Sequence, residues 1–137
     1  MKGRSEISEN NKYHISKYRY LELKNFCMQY PNWVKTKSYL ESRLSSMPIA
    51  IVGGSNEPSN PTAEICETIE KVSRLIDIVD ESLSYLDEYI RFGIKECITQ
   101  GVGYDTLRAR GFVIPCGRVK FYEEYRRFFY ILSHKRD

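Results

Sequence analysis

Several kinds of chemistry are missing from this 137-residue chain. No apolar run approaches the roughly 20 residues that span a bilayer, so no membrane partner is expected. Only two histidines occur, His14 and His134. They stand near opposite ends of the chain, and neither has a nearby Cys or Ser in a nucleophile motif. Cys27, Cys66, Cys97 and Cys116 never fall at a C-x-x-C spacing, which argues against a zinc knuckle or a redox dithiol. Beside apolar neighbours, each is expected to be a small buried thiol in a reducing compartment. Gly53-Gly54-Ser55 lacks the lysine and the spacing of a phosphate-cradling loop. Asp77, Asp80, Glu81, Asp87 and Glu88 have no histidine or glycine-rich loop beside them and read as a solvated helix face rather than a metal site. No catalytic residue, metal or cofactor is therefore expected. Met1 to Glu6 lead into no apolar h-region, so a signal peptide is not expected and the chain reads as cytoplasmic.

What is present is charge, and it is segregated. Residues 1–50 carry 9 Lys/Arg and 4 Asp/Glu, residues 51–100 carry 4 and 10, and residues 101–137 carry 8 and 4. Two basic ends thus flank an acidic middle. That layout suits ends that meet phosphate and a middle that meets solvent or another protein. Hydrophobic residues make up 42% of the chain, enough for one domain with a modest core.

The patterning predicts an all-α fold, a bundle of about five to six helices with a C-terminal helix-turn-helix. Residues 1–12 are polar and expected to be a disordered tail. Residues 13–45 read as a helical hairpin. Its first helix, about 16–30, carries one line through Tyr18, Leu21, Lys24 and Met28 and a neighbouring line through Leu23, Phe26, Cys27 and Tyr30. Pro31 ends that helix or opens the next, which includes Trp33, Val34, Tyr39, Leu40 and Leu44. Residues 46–61 read as a linker, with Ile49-Ala50-Ile51-Val52 as a short strand or arm within it.

Residues 62–137 are expected to complete one compact domain. Asn60 can cap a helix, Pro61 fits a first turn and Glu64 complements the dipole. Ile65, Ile69, Val72, Ile76, Val79, Leu83 and Leu86 then step by four and three, a heptad-like stripe. The stripe either packs in the core or pairs with a partner's equivalent helix over 62–86 in a homodimer. A break is expected near Glu81–Ser84. Ser84 would cap a further helix, with Leu86, Tyr89, Ile90, Ile94, Cys97 and Ile98 facing inward, and Gly101 would end it.

The last third, 101–137, reads as the helix-turn-helix. A short helix of about 103–110 carries Tyr104 and Leu107 inward. Gly111 permits a tight turn of three to four residues, and Phe112 and Ile114 plug it. Pro115 blocks backward extension, so a second helix starts near Cys116. At about 100° per residue, Phe121, Tyr122, Tyr125, Phe128, Phe129 and Leu132 share one arc, the expected core face. Lys120, Glu123, Arg126, Arg127, Tyr130 and His134 lie opposite. Arg118, Val119, Lys120 and Glu123 would meet base edges, while Arg126, Arg127, Arg108 and Arg110 would lie nearer phosphates.

Gly101, Tyr104, Leu107, Ile114, Phe121, Tyr122, Arg126, Arg127, Phe128 and Phe129 carry a resemblance. In them the C-terminal part is similar to phage and prophage late-gene transcriptional regulators of the RinA and ArpU type, whose endings look like the DNA-binding region of sigma factors. Ser59 to Glu64 also looks like the loop and helix start that precede their central helices. Gly103 stands where that family usually carries a capping serine, and Gly117 stands in the first turn of the recognition helix. The resemblance implies a regulator of double-stranded DNA in a host bacterial cell, with RNA polymerase or another protein as a possible contact of the acidic helices. The other open reading is a phage-encoded interaction module or inhibitor of a host or defence complex, acting through those acidic central helices.

Overall fold

The computed structural model describes residues 12–47 and 60–137. Among the described residues there is no strand and there are six helices: α1 (Lys17–Met28), α2 (Tyr30–Ser45), α3 (Pro61–Ser84), α4 (Glu88–Gln100), α5 (Tyr104–Ala109) and α6 (Arg118–Lys135). The all-α class and the helix number match the expectation from the sequence. The tail expected at 1–12, save its last residue, and the strand or arm expected at Ile49–Val52 fall outside the described residues.

Two compact units divide the chain. One is Met1–Gln29 with Ile78–Asp137; the other is Tyr30–Asp77. Residues 13–45, read from the sequence as one hairpin, are therefore split between the units after Gln29. Only Gln29 separates α1 from α2, and Pro31 lies in the first turn of α2, where its missing N–H is no loss.

In the first unit, α1 packs on α4 and α6, α4 also packs on α6, and α5 packs on α4. The core is built from Leu23 and Cys27 of α1, Ile90, Ile94, Cys97 and Ile98 of α4, Leu107 of α5, and Phe121, Phe128, Phe129 and Leu132 of α6. Full burial of such side chains contributes roughly 1.5–3 kcal/mol each. On α1 it is the Leu23–Phe26–Cys27 line that turns inward, with Tyr20, while Tyr18 is exposed. Aromatic rings pack against one another through the centre, edge-on or tilted. Tyr20 sits 5.1 Å from Phe129, Phe129 lies 5.0 Å from Tyr125, and Tyr104 is 5.2 Å from Phe121, all within the preferred separation. The Tyr20 and Tyr125 hydroxyls pair at 2.7 Å within this core.

Ser16 caps α1, its Oγ accepting from Arg19 N–H. The Arg19 guanidinium then donates to Ser133 Oγ at 3.0 Å and to the Ser133 carbonyl at 2.8 Å. One arginine of α1 thus satisfies a carbonyl in the last turn of α6.

The corner between α3 and α4 differs from the expectation. Ser84 does not cap α4. It closes α3 instead, its hydroxyl donating to the Glu81 carbonyl, and Asp87 takes the position before α4. Arg91 fastens the corner by donating to the carbonyls of Ser84 and Leu86. With α4 starting at Glu88, its inward face runs through Ile90, Ile94, Cys97 and Ile98. Tyr89 lies about 100° away on the wheel and is exposed, not inward as expected.

The second unit holds α2 and the part of α3 up to Asp77. Asn60 caps α3 as the sequence implies, its Oδ1 accepting from the N–H of Thr62 at 3.0 Å and of Ala63 at 3.4 Å. Tyr30, Trp33, Ile65, Val72 and Ile76 are buried. Apart from half-buried Ile69, the whole stripe from Ile65 to Leu86 is buried in the single chain. Of the two readings of the stripe, burial within the chain itself is the one these residues follow. Cys66 is exposed and Cys116 half-buried, so only Cys27 and Cys97 are the buried thiols the sequence suggests for all four.

Candidate nucleic-acid interface

The α5–α6 pair is set by two left-handed glycines. Gly101, at φ 69°, ends α4. Gly111, at φ 85°, lies just past α5. There the Phe112 N–H reaches back to the Leu107 carbonyl and the Gly111 N–H to the Arg108 carbonyl, the Schellman pattern. A side chain at such φ would be strained, so the sequence places glycine.

Between the helices the chain departs from the expected tight turn. The connector runs from Arg110 to Gly117, eight residues rather than three or four. Pro115 keeps Ile114 out of helical angles, and Gly117 is extended, so α6 starts at Arg118 rather than near Cys116. Phe112 and Ile114 are half-buried, with Phe112 set edge-on against Phe92 at 5.3 Å. Val113, between them, is 85% exposed. The Tyr104 hydroxyl, reaching across from α5, donates to the Cys116 carbonyl at 2.8 Å and fixes the connector's far end.

Glycine at position 103 has a physical explanation. The Tyr122 hydroxyl of α6 accepts from the Tyr104 N–H at 3.1 Å and satisfies the start of α5. A Cβ at Gly103 would lie 2.8 Å from that hydroxyl. The group that caps α5 is thus a side chain eighteen positions beyond Tyr104, not one on the residue before the helix.

The proposed contact residues divide into two groups. Arg108, Arg110, Arg118 and Val119 stand exposed. The guanidiniums of Arg108 and Arg118 each lie 5.9 Å from the Tyr104 ring centre, a cation–π arrangement. Arg110 donates to the Gln100 side chain at 2.7 Å. Asp105 pairs with Arg118 and holds its pKa above the ordinary arginine value. Val119 is 83% exposed at the start of α6.

Lys120, Glu123, Arg126 and Arg127 are placed differently. Lys120 lies 3.7 Å from Asp87, 3.8 Å from Glu124 and 3.9 Å from Glu123. Glu124, then Tyr89, Asp87 and Glu123, keep its ammonium above the usual lysine range. Arg127 is 3.4 Å from the Glu124 carboxylate, Arg126 is half-buried, and Glu123 is exposed. Glu124 itself is only 4% exposed. The cationic face expected along α6 is thus partly neutralised by Glu124. Glu124 is three residues after Phe121 and four before Phe128, which puts it at the margin of the aromatic arc.

Among the described residues, no group of three or more His, Cys, Asp or Glu could hold a metal ion, and no helix is long and apolar enough to cross a membrane. Comparison with protein families, with curated proteins and with solved structures finds no match for this chain.

Proposed function

We propose that the chain binds duplex DNA as a phage-type transcriptional regulator, presenting α5 and the first turn of α6 to the double helix. The observation that carries this reading is the pair of exposed guanidiniums, Arg108 and Arg118, held on one buried ring while the aromatics of α6 face inward. Arg108 and Arg110 grip phosphate and set the register. Arg118 and Val119 face base edges, where arginine suits guanine and an exposed valine suits a thymine methyl. Lys120 and Arg127 contribute less, because both share the buried carboxylate of Glu124, whereas the Asp105 partner of Arg118 is exposed and readily displaced.

The test is the triple variant Arg108→Ala, Arg110→Ala and Arg118→Ala, titrated into labelled random-sequence duplex at several salt concentrations. Each lost phosphate contact lowers the slope of log K against log salt by about 1, so the loss of Arg108 and Arg110 gives an expected drop of about 2 with the helical signal unchanged. An unaltered slope refutes the assignment.

One surface favours a second reading, a module that binds protein. Phe92 is 65% exposed, next to Phe112 and the exposed Val113, with Tyr89 one turn away and Asp87 and Glu88 beside it. Exposed aromatic groups of this kind mark protein contacts. Failure of wild-type protein to bind duplex would favour this reading.

A further inference from the structure

The far end of α6 carries a groove that the DNA-binding proposal does not use. It lies about 18 Å along the helix axis from Arg118, at 1.5 Å per residue. Tyr85, Tyr130, Ile131, His134 and Lys135 line it, around a volume of about 410 Å³, inside the roughly 300–1,000 Å³ that ligand sites occupy.

Three rings form its sides. Tyr130 and His134 are 4.6 Å apart, tilted at 55°. Tyr13 packs on Tyr130 at 5.5 Å and supports that ring. Tyr85 carries the Lys135 ammonium 5.1 Å from its centre. Ile131 adds an apolar side chain. The polar groups are few and specific. His134 Nδ1 lies 2.9 Å from the Tyr130 carbonyl. A carbonyl only accepts, so Nδ1 bears the proton, and in the neutral ring Nε2 remains an acceptor. Lys135 Nζ stands 3.7 Å from Glu81 in an exposed pair, and such pairs are weak enough for a more highly charged anion to displace.

Aromatic faces, one cation and one ring acceptor match a heteroaromatic base joined to a phosphate. Bases stack on tyrosine and histidine whatever their identity, and lysine holds phosphate as a point charge. We propose that this groove binds a single unpaired nucleotide, its base against Tyr85, Tyr130 and His134 and its phosphate on Lys135. The same chemistry is offered by a free mononucleotide and by one residue of a single strand.

The experiment is an amide NMR titration of the full chain with adenosine monophosphate, with adenosine and with a short oligodeoxyadenosine. Exposed Tyr85 and Lys135 allow Tyr85→Ala and Lys135→Gln without opening the core, which the unchanged dispersion of the spectrum checks. Shifts confined to Tyr85 and residues 130–135, with about tenfold weaker binding in each variant, support the site. Binding of both phosphorylated probes points to free nucleotide as a sufficient ligand; binding of the oligomer alone assigns the groove to single strands. Adenosine binding as tightly as its monophosphate removes the role of Lys135 and overturns the proposal. So does an absence of shifts at millimolar probe, shifts elsewhere on the molecule, or variants that bind like wild type. Duplex binding through Arg108, Arg110 and Arg118 is read separately, so either conclusion can fail without the other.

Discussion

Replacing Gly103 by serine should destabilise this protein, although serine is ordinarily the better residue before a helix. At an unobstructed N-cap, glycine to serine gains a few tenths of a kcal/mol. Here the new Cβ would meet the Tyr122 hydroxyl at 2.8 Å. The Tyr122 ring cannot easily swing away, because it stands edge-on between Phe121 and Tyr125, each 5.5 Å distant. Moving its hydroxyl forfeits the bond from the Tyr104 N–H, worth about 1 kcal/mol. Forcing the ring off its rotamer adds roughly 0.5–1.5 kcal/mol. Net of the small capping gain, Gly103→Ser should cost about 1–2 kcal/mol. Tyr122→Phe alone should cost about 1 kcal/mol, since it leaves that N–H without its partner. The two changes together should cost less than their sum. With the hydroxyl gone the serine fits, and its own oxygen can cap α5. Urea unfolding of the four proteins, followed by circular dichroism, gives a coupling of about 1 kcal/mol or more in favour of the pair. Gly103→Ser as stable as wild type, or strict additivity, would refute the reasoning.

Two further outcomes follow from the same geometry. Glu124→Gln removes the carboxylate that Lys120 and Arg127 share. Both cations are half-exposed and can be resolvated, so the stability loss should be only about 1 kcal/mol rather than the larger cost of orphaning a deeply buried charge. On the DNA-binding reading, the freed cations should tighten duplex binding and steepen its salt dependence in the same titration; weaker binding would mean that Glu124 positions α6 rather than masking it. Thiol alkylation near pH 8 should label exposed Cys66 first. Burial pushes the Cys97 thiol up to about 12 and raises Cys27 further still. The thiolate is the reactive form, so a pKa of about 12 leaves roughly one part in ten thousand reactive at that pH. Mass spectrometry should find Cys27 and Cys97 modified only in denaturant, and their early labelling in the native protein would show that the α1–α4 core opens readily.

Helix punctuation was legible in the sequence because it depends on single residues with local consequences. Asn60-Pro61 opens α3, Gly101 closes α4 and Gly111 lies just past α5. The inward arc of α6 was legible because six large apolar groups repeat at the helical period. Three features were not. The split after Gln29 was hidden because Pro31 is equally at home at a helix end and a helix start. Capping by Tyr122 joins positions far apart in the chain, and no local pattern announces it. The pairing of Arg118 with Asp105 and of Lys120 with Asp87 likewise depends on which elements meet. Counting charges along α6 overstated its free positive charge for that reason.

Tyr104 holds two of the proposed contacts and the connector at once: its ring underlies Arg108 and Arg118, and its hydroxyl anchors the Cys116 carbonyl. Loop length and arginine placement are therefore not independent variables in this molecule. An insertion between Phe112 and Cys116 would drag the phenol, and with it both guanidiniums, so the connector can drift in composition far more freely than in length.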